Sequence, residues 1–260
     1  MDETPWTQVN IAWPGPDRHQ RERQAVDHLA RVLPAAVADG LITSWFFIRK
    51  GPWRVRYLIA DGATGRDARN CDPLHALLTN GVRWTDDIYE PEVHAFGGPS
   101  SMNTAHTLFH QDSRHLLAFL DNGPVDRRGH SLVLCTALMR SAGLDFSEQG
   151  DVWARVAEQR PGLADTAPDP QVSASSTSSV RHLLLGDARA DLIGRDWLAA
   201  FEETGRTLRT LRESGNLTRG IRAVIALHVI FHWNRLGLPV ATQAALAQAA
   251  KEAVFSNASA

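Results

Sequence analysis

The sequence predicts an α+β fold, with a small antiparallel sheet from the N-terminal part packed against a mostly helical C-terminal part. Segments rich in aromatic and β-branched residues lie within the first ninety residues, whereas later apolar residues recur at helical spacings of three and four. Because strands come first and helices later, we expect helices to cover one face of the sheet. With 260 residues, 43% of them hydrophobic, and no internal repeat, the chain is predicted to form a single domain over residues 1–260.

The N-terminal part is predicted to contain two helices and three strands. The helices cover Arg18–Asp39 and a short segment from Pro73 to Gly81, and the strands cover Ile42–Arg49, Trp53–Ala60 and Val82–Tyr89. The buried face of the first helix is expected to carry Val26, Leu29, Leu33 and Val37. A β-hairpin should form at Lys50-Gly51-Pro52, and Asp72 should cap the second helix.

The rest of the chain has helical periodicity. Helices are predicted at residues 99–120, 130–142, 147–160, 179–192, 196–212, 219–236 and 242–255. Residues 161–178 contain three prolines and few residues that could be buried, so we expect a flexible surface loop there. It would act either as a passive linker or as a lid or peptide-contact segment.

Composition and charge exclude several classes of protein. With 27 basic and 29 acidic residues, the chain lacks the general attraction to phosphates of a nucleic-acid binder, so no direct nucleic-acid binding is expected. The N-terminus is acidic and polar, unlike a signal peptide, and no apolar run is long enough to predict a membrane span. Cys71 and Cys135 form neither a metal-type spacing nor a disulfide framework. We therefore expect a cytoplasmic protein.

The predicted hairpin carries three arginines. Arg54 and Arg56 face the side of their strand opposite the apolar residues that alternate with them, and Arg49 lies on the other arm. Guanidinium groups held on a sheet are typical of a pocket for a carboxylate or phosphate. The alternative interpretation is a solvated outer face of the sheet.

A second group of titratable residues precedes the Gly97-Gly98 turn. Glu90, Glu92 and His94 lie at the end of a predicted strand, just before a helix N-terminus, where backbone N–H groups would accompany acid and base side chains. One of the two glutamates is expected to point inward. Alternatively, Glu90 caps and Glu92 pairs with an arginine for structural reasons.

Two histidine pairs have a spacing of four. His106 and His110 lie on one predicted helix, and His228 and His232 lie on a later apolar helix, so a metal ion could bridge either pair or all four imidazoles. However, Thr107 stands where a zinc-protease motif requires glutamate, and buried histidines are often hydrogen-bonded core residues. We predict no metal and no other cofactor.

Asn234 and Arg235 add polar groups to the end of this late apolar helix. Buried polar groups need partners, and the nearest unmatched set is the arginines and glutamates of the sheet. We therefore predict one composite site, in which a neutral histidine near arginines acts as general base. The sequence has neither a Gly-rich phosphate loop nor a GxSxG motif, which excludes the common nucleotide enzymes and hydrolases.

Four blocks together resemble the thiopeptide-type bacteriocin biosynthesis family: WFFIRKGPWRVRY at 45–57, IYEPEVHAFGG at 88–98, AHTLFHQDSRHLL at 105–117 and HVIFHWNRLGL at 228–238. This family is similar to the C-terminal glutamate-elimination domain of class I lanthipeptide dehydratases, and it includes thiopeptide pyridine synthases. In the dehydratases a partner domain esterifies Ser or Thr of a precursor peptide with glutamate from glutamyl-tRNA. The elimination domain then removes an α-proton and expels glutamate, leaving dehydroalanine or dehydrobutyrine.

The resemblance implies roles for particular residues. Arg54 and Arg56 match the arginines of the HLRLR-like strand of the family and would hold the glutamyl carboxylate, with Arg49 adding charge for the leaving group. Glu92 matches the acid of the PExxRYGG block and would orient the arginines or handle protons, and the base would be His228 or His232. The further candidates for substrate binding are His94, His106, His110, Asn234 and Arg235.

The resemblance also implies partners. The chain would be the elimination half of a split dehydratase, acting on a precursor peptide together with a separate tRNA-dependent glutamylating protein. Because related dehydratases dimerise, a homodimer is also an expectation.

One position departs from the family pattern, because Ala95 stands where elimination domains usually carry arginine. His94 or an arginine from elsewhere would have to replace that guanidinium, or the substrate has changed. The alternative function is a pyridine synthase that joins two dehydroalanines and a backbone amide in a formal [4+2] cycloaddition with loss of the leader peptide. A second alternative is a non-catalytic scaffold for the precursor peptide.

Overall fold

The computed structural model describes residues 5–61, 72–121, 126–160, 179–185 and 193–256. The chain divides into two compact units: unit 1 comprises Met1–Pro91 and Phe109–Val125, and unit 2 comprises Glu92–Leu108 and Asp126–Ala260. All described strands lie in unit 1, and the later part of the chain is helical, which confirms the α+β class. The single-domain prediction is not tested by this division and stays a prediction. The predicted loop at 161–178 lies outside the described residues.

Unit 1 contains an antiparallel four-stranded sheet in the order β2-β3-β1-β4. The strands are β1 Trp6–Ala12, β2 Ile42–Arg49, β3 Trp53–Ile59 and β4 Arg83–Asp87. The predicted hairpin is confirmed as β2 and β3, and the last predicted strand is a shorter β4. The sequence prediction lacks β1, which pairs with both β3 and β4 and therefore joins the two halves of the sheet.

Two helices of unit 1 match the prediction closely. They are α1 at Arg18–Ala38 and α2 at Pro73–Thr79, whose N-cap is Asp72. Along α1, Val37 is 39% exposed, so its predicted burial is wrong. A helix turn holds 3.6 residues, so successive steps of four drift off the apolar face, and Ala36 closes that face at 2% exposure instead.

One edge of the sheet is covered by a helix. The helix α3 spans Pro99–Asp121, and its second half belongs to unit 1. His110 Nδ1 lies 2.8 Å from the carbonyl oxygen of Trp45, and Ser113 Oγ accepts a hydrogen bond from the Phe47 amide at 3.3 Å. Because β2 is an edge strand, these side chains occupy backbone groups that would otherwise lack a partner strand.

Unit 2 is helical in its described residues. After the first half of α3 come α4 Arg127–Ser141, α5 Phe146–Glu158, α6 Arg195–Glu213, α7 Ile221–Leu236 and α8 Val240–Phe255, and residues 179–185 are also helical. These helices confirm the predicted ones with small shifts at their ends, and the segment predicted at 179–192 is described only to residue 185. Within the described residues, no helix is both long and apolar enough to span a membrane.

Packing in unit 2 depends on close helix contacts. A Cβ at Gly205 of α6 would lie 2.4 Å from the backbone oxygen of Leu138 in α4, so only glycine lets these helices approach this closely. Trp153 of α5 and Trp233 of α7 stack with ring centroids 6.0 Å apart, and both are fully buried. The core of this unit therefore includes α7, the helix that carries His228 and His232.

Candidate functional site

The two arginines of β3 share one face of the sheet. Arg54 lies opposite Asn10 and Arg56 lies opposite Gln8 on β1, while Val55 between them points to the other face and is fully buried. The predicted alternation along this strand is therefore confirmed. Strand geometry alone places two guanidinium groups side by side, two residues apart.

Arg56 is held firmly on this face. It is only 8% exposed, its Cζ lies 4.0 Å from the centroid of the Tyr89 ring and 5.3 Å from that of Phe46, and its Nε donates to Gln8 Oε1 at 2.6 Å. Cation–π contacts and a directed hydrogen bond restrict the rotamers of a long side chain. Arg56 is therefore a rigid part of the face.

Arg54 differs from Arg56 in its hydrogen bonding. Its Nε is buried, and it makes no hydrogen bond or ion pair with any residue that the structure describes. Leaving a buried donor without an acceptor costs about 1–3 kcal/mol, so such groups are uncommon and call for an explanation. A bound anion would supply the missing acceptor.

Two amides separate these arginines from a carboxylate. Gln8 Nε2 donates to Asp87 Oδ2 at 2.8 Å and to Asn10 Oδ1 at 3.0 Å, and Asn10 Nδ2 donates to Asp87 Oδ2 at 3.1 Å. The hydrogen bond from Asn10 is the main reason that the pKa of Asp87 lies below its usual range, with smaller contributions from the charges of Arg54 and Arg56. Asp87 makes no ion pair with a described residue. We call Gln8 and Asn10 the amide row.

Arg49 does not join this pair, which corrects the expected three-arginine pocket. Arg49 lies opposite Trp53, on the other face of the sheet, and its side chain makes a largely buried ion pair with Glu22 of α1. Its Cζ also lies 4.6 Å from the centroid of the Trp53 ring. Because Arg49 is matched by a carboxylate within the fold, its guanidinium is not available to stabilise a leaving group on the Arg54 face.

The segment before the Gly-Gly turn corrects another expectation. Both Glu90 and Glu92 are exposed, so neither points inward, and His94 is exposed as well. The buried position is Tyr89, at 5% exposure, whose ring supports Arg56. The strand ends at Asp87, so the alternation that would turn a glutamate inward does not continue into this segment.

The Gly97-Gly98 turn is built into unit 2. Gly97 has φ +87°, and a Cβ there would lie 2.8 Å from Leu217 Cδ1. The Gly97 carbonyl accepts a hydrogen bond from the Thr218 amide at 2.9 Å, and the Ala95 carbonyl accepts one from Arg219 Nη1 at 2.8 Å. An arginine from elsewhere in the chain therefore lies at the position where Ala95 departs from the family pattern.

The two histidines of α7 are both buried. His228 is 1% exposed with its ring 5.2 Å from that of Phe96, and His232 is fully buried with its ring 5.1 Å from that of Phe201. Burial, with a smaller contribution from the charge of Arg235, lowers the pKa of His228 to about 3. At neutral pH His228 is therefore an uncharged imidazole. Because His228 and His232 are both buried, a substrate could reach their rings only after a local rearrangement.

The remaining candidates have structural partners or partial exposure. Asn234 Oδ1 accepts a hydrogen bond from Gln243 at 3.1 Å, and Arg235 is fully buried. His106 is half-buried, and His110 binds the backbone of Trp45, while its burial keeps its pKa below the usual value. Among the described residues, no group of three or more His, Cys, Asp or Glu side chains could hold a metal ion.

The predicted site residues are therefore divided between the units. The arginines of β3 belong to unit 1, and His228, His232 and Arg235 belong to unit 2. Their convergence in one cavity stays a prediction. Sequence reasoning missed Gln8, Asn10 and Arg219; the polar–apolar alternation in WTQVNIA could have identified the first two, whereas Arg219 is joined to Ala95 only by the tertiary fold.

Three solved structures share the fold of this chain. The crystal structure of the tRNA-dependent lantibiotic dehydratase MibB from Microbispora sp. 107891 matches with a TM-score of 0.64 and 19% identity, covering 99% of this chain and 28% of that one. The chain thus spans 28% of MibB. TsrL matches with a TM-score of 0.63 and 14% identity over 95% of this chain and 93% of the other. The pyridine synthase TbtD from thiomuracin biosynthesis matches with a TM-score of 0.61 and 12% identity, covering 97% of this chain and 98% of the other. At these identities the likeness establishes a shared fold.

The chain belongs to the family described as lantibiotic biosynthesis dehydratase C-term, whose sequence profile matches residues 6–254. This match confirms the resemblance drawn from the four sequence blocks. The family description places the chain among proteins of lantibiotic biosynthesis. No curated protein sequence matches the chain significantly.

Proposed function

We propose that this protein is a carbon–oxygen lyase that eliminates glutamate from glutamylated Ser or Thr residues of a precursor peptide. The observation that carries the proposal is Arg54, whose guanidinium has no partner among the described residues and stands beside the rigid Arg56. A carboxylate of the glutamyl group is the anion that this pair would bind, since a guanidinium fork fits a carboxylate in two hydrogen bonds.

The reaction balances without a cofactor. A base takes the α-proton of the glutamylated residue, the C–H electron pair forms the Cα=Cβ bond, and the Cβ–O bond breaks as the ester carboxylate leaves within free glutamate. Negative charge grows on that carboxylate, so a nearby guanidinium lowers the barrier more than it stabilises the neutral ester. The proposal assigns the base to His228 or His232, for which an uncharged imidazole is the required state.

Arg219 takes the place of the missing family arginine in this proposal. Its Nη1 is held by the Ala95 carbonyl, which leaves its other N–H groups to contact the substrate. The proposed partners are the precursor peptide and a separate tRNA-dependent glutamylating protein, and the proposed location is the cytoplasm. Glu92, which is exposed, is proposed to orient the arginines or to handle protons, and His94, also exposed, is proposed to bind the substrate.

The test is incubation of glutamylated precursor peptide with the wild-type protein and with Arg54→Ala. Mass spectrometry should show loss of glutamate and formation of dehydroamino acids with the wild type, and accumulation of glutamylated peptide with the variant. Arg83→Ala is the matched control, because Arg83 is an exposed arginine of the same sheet on β4 and should retain full activity. Normal elimination by Arg54→Ala would refute the assignment of Arg54.

A second candidate is a pyridine synthase, favoured by Ala95 at the position where elimination domains carry arginine. It would polarise an amide and position two alkenes, relying on orientation and electrostatics. A parallel incubation with a peptide that contains several dehydroalanines separates the candidates, because a pyridine synthase would release the leader from that peptide and leave the glutamylated peptide unchanged. A non-catalytic scaffold would convert neither substrate.

A further inference from the structure

The face of the sheet that carries Arg54 and Arg56 is arranged in three rows. The arginines lie on β3, the neutral amides of Gln8 and Asn10 on β1, and Thr85 and Asp87 on β4, with Asn10 opposite both Arg54 and Thr85. Asp87, the carboxylate that the four described strands carry on this face, is thus separated from the arginines by a strand of amides.

Hydrogen bonding determines how the amide row is oriented. The Asp87 carboxylate can only accept, so the Nε2 of Gln8 and the Nδ2 of Asn10 both turn toward it, at 2.8 and 3.1 Å. The Oδ1 of Asn10 in turn accepts from Gln8 at 3.0 Å. Both amides of the row are therefore engaged by Asp87 and by each other, and Asn10 does not hydrogen-bond to Arg54.

The opposite face of the same sheet has the contrasting arrangement. There Arg49 meets the Glu22 carboxylate directly in a largely buried ion pair. One sheet thus carries one arginine that is neutralised within the fold and another, Arg54, that has no such partner among the described residues.

We propose that Asn10 keeps Arg54 available to the substrate carboxylate, because a neutral side chain at this position keeps the negative charge of Asp87 one strand away. This inference rests on the proposed function and adds a residue to its site. An acidic residue at position 10 would lie directly across from Arg54, where facing side chains on paired strands are about 5 Å apart. It would occupy Arg54 in the way that Glu22 occupies Arg49 and exclude the substrate carboxylate.

Two double variants with the same net charge test this proposal. Asn10→Asp with Asp87→Asn moves the carboxylate from β4 to the position beside Arg54, and Thr85→Asp with Asp87→Asn moves it along β4 by two residues. The probe is glutarate, a stable dicarboxylate, and its binding is followed by NMR at the Nε–H signal of Arg54, assigned with Arg54→Lys. We expect the first variant to bind glutarate at least tenfold more weakly than the wild type. The affinity of the second variant should lie within about twofold of the wild-type affinity.

Each outcome bears on the inference. Equal binding by a folded Asn10→Asp/Asp87→Asn variant overturns it, and so does an Arg54 signal in the wild type that does not respond to glutarate. If circular dichroism shows the first variant to be unfolded, the single variants Asn10→Asp and Thr85→Asp are titrated with glutarate instead. We then expect Asn10→Asp to bind glutarate at least tenfold more weakly than Thr85→Asp. Wild-type binding of glutarate without elimination of glutamate would refute the proposed function and leave the carboxylate site standing. If the wild type eliminates glutamate and the first variant has the same KM as the wild type, the role of Asn10 is refuted and the proposed function stands.

Discussion

Arg219 donates a hydrogen bond from Nη1 to the carbonyl oxygen of Ala95, 2.8 Å away, although 124 residues separate them in the sequence. The contact lies beside the Gly97-Gly98 turn, where the Thr218 amide also donates to the Gly97 carbonyl. Thr218 and Arg219 thus donate hydrogen bonds to the backbone of residues 95–97. The fold therefore places the Arg219 guanidinium next to Ala95, and its role in place of the family arginine stays a proposal.

Replacing Arg219 should therefore impair the reaction more than the stability of the protein. Arg219 is exposed, so Arg219→Ala should lower the free energy of unfolding by about 1 kcal/mol or less. We expect kcat/KM for glutamate elimination to fall at least tenfold, and Arg219→Lys to be intermediate because an ammonium cannot reproduce the guanidinium fork. The measurements are steady-state kinetics and urea denaturation. Arg206→Ala, at an exposed ion pair of α6, is the control. Wild-type rates in Arg219→Ala would show that Arg219 does not belong to the site.

The ion pair between Arg49 and Glu22 should contribute to stability and not to substrate binding. The two side chains are 7% and 11% exposed, so removing one partner leaves the other charge poorly solvated. We expect Glu22→Leu to lower the free energy of unfolding by about 3 kcal/mol, measured by urea denaturation. The double variant Arg49→Leu/Glu22→Leu should recover part of this loss because no uncompensated charge remains. An additive loss in the double variant would show that the two charges are not coupled.

Stability should fall in acid because of His228. Its pKa is about 3 in the folded protein and about 6.5 when exposed in the unfolded chain, so the unfolded state binds the proton more readily. The stabilisation is therefore fully present above pH 6.5 and is lost progressively between pH 6.5 and about 3, by about 1.4 kcal/mol per pH unit from this residue.

The check is the pH dependence of the free energy of unfolding in wild type and in His228→Leu. Leucine cannot titrate, so the free energy of unfolding of the variant should depend less steeply on pH below 6.5. The difference in slope should correspond to about one proton bound on unfolding. Parallel curves for the two proteins would mean that His228 is not buried in its neutral form.

Gly97→Ala should be more disruptive than an alanine at another left-handed glycine. Gly97 and Gly40 have φ +87° and +69°, so both substitutions carry a backbone cost of about 1–2 kcal/mol. A Cβ at position 97 would also lie 2.8 Å from Leu217 and 3.2 Å from Val224, whereas nothing lies within 4 Å at position 40. Thermal unfolding should therefore show a larger fall in Tm for Gly97→Ala than for Gly40→Ala. Equal shifts would indicate that the turn can move away from Leu217.

Local patterns predicted the elements that depend on local physics. The capping of α2 by Asp72, the hairpin at Lys50-Gly51-Pro52 and the alternation along β3 all follow from a few adjacent residues, and the structure confirms them. The prediction lacked β1 because seven residues near a terminus carry a weak signal, although that strand pairs with both β3 and β4. The inward glutamate was wrong because alternation was extended past Asp87, where β4 ends.

By itself, the sequence determined the α+β class, the family, and the placement of Arg54 and Arg56 on one face of a strand, since side-chain alternation is a property of any extended chain. The tertiary structure alone decided which arginine keeps its charge available. Arg49 meets Glu22 of α1, Arg54 faces the amide of Asn10 on β1, and Arg219 reaches Ala95. These pairs join residues far apart in the chain, and local periodicity specifies which way a side chain points but not the residue that it meets.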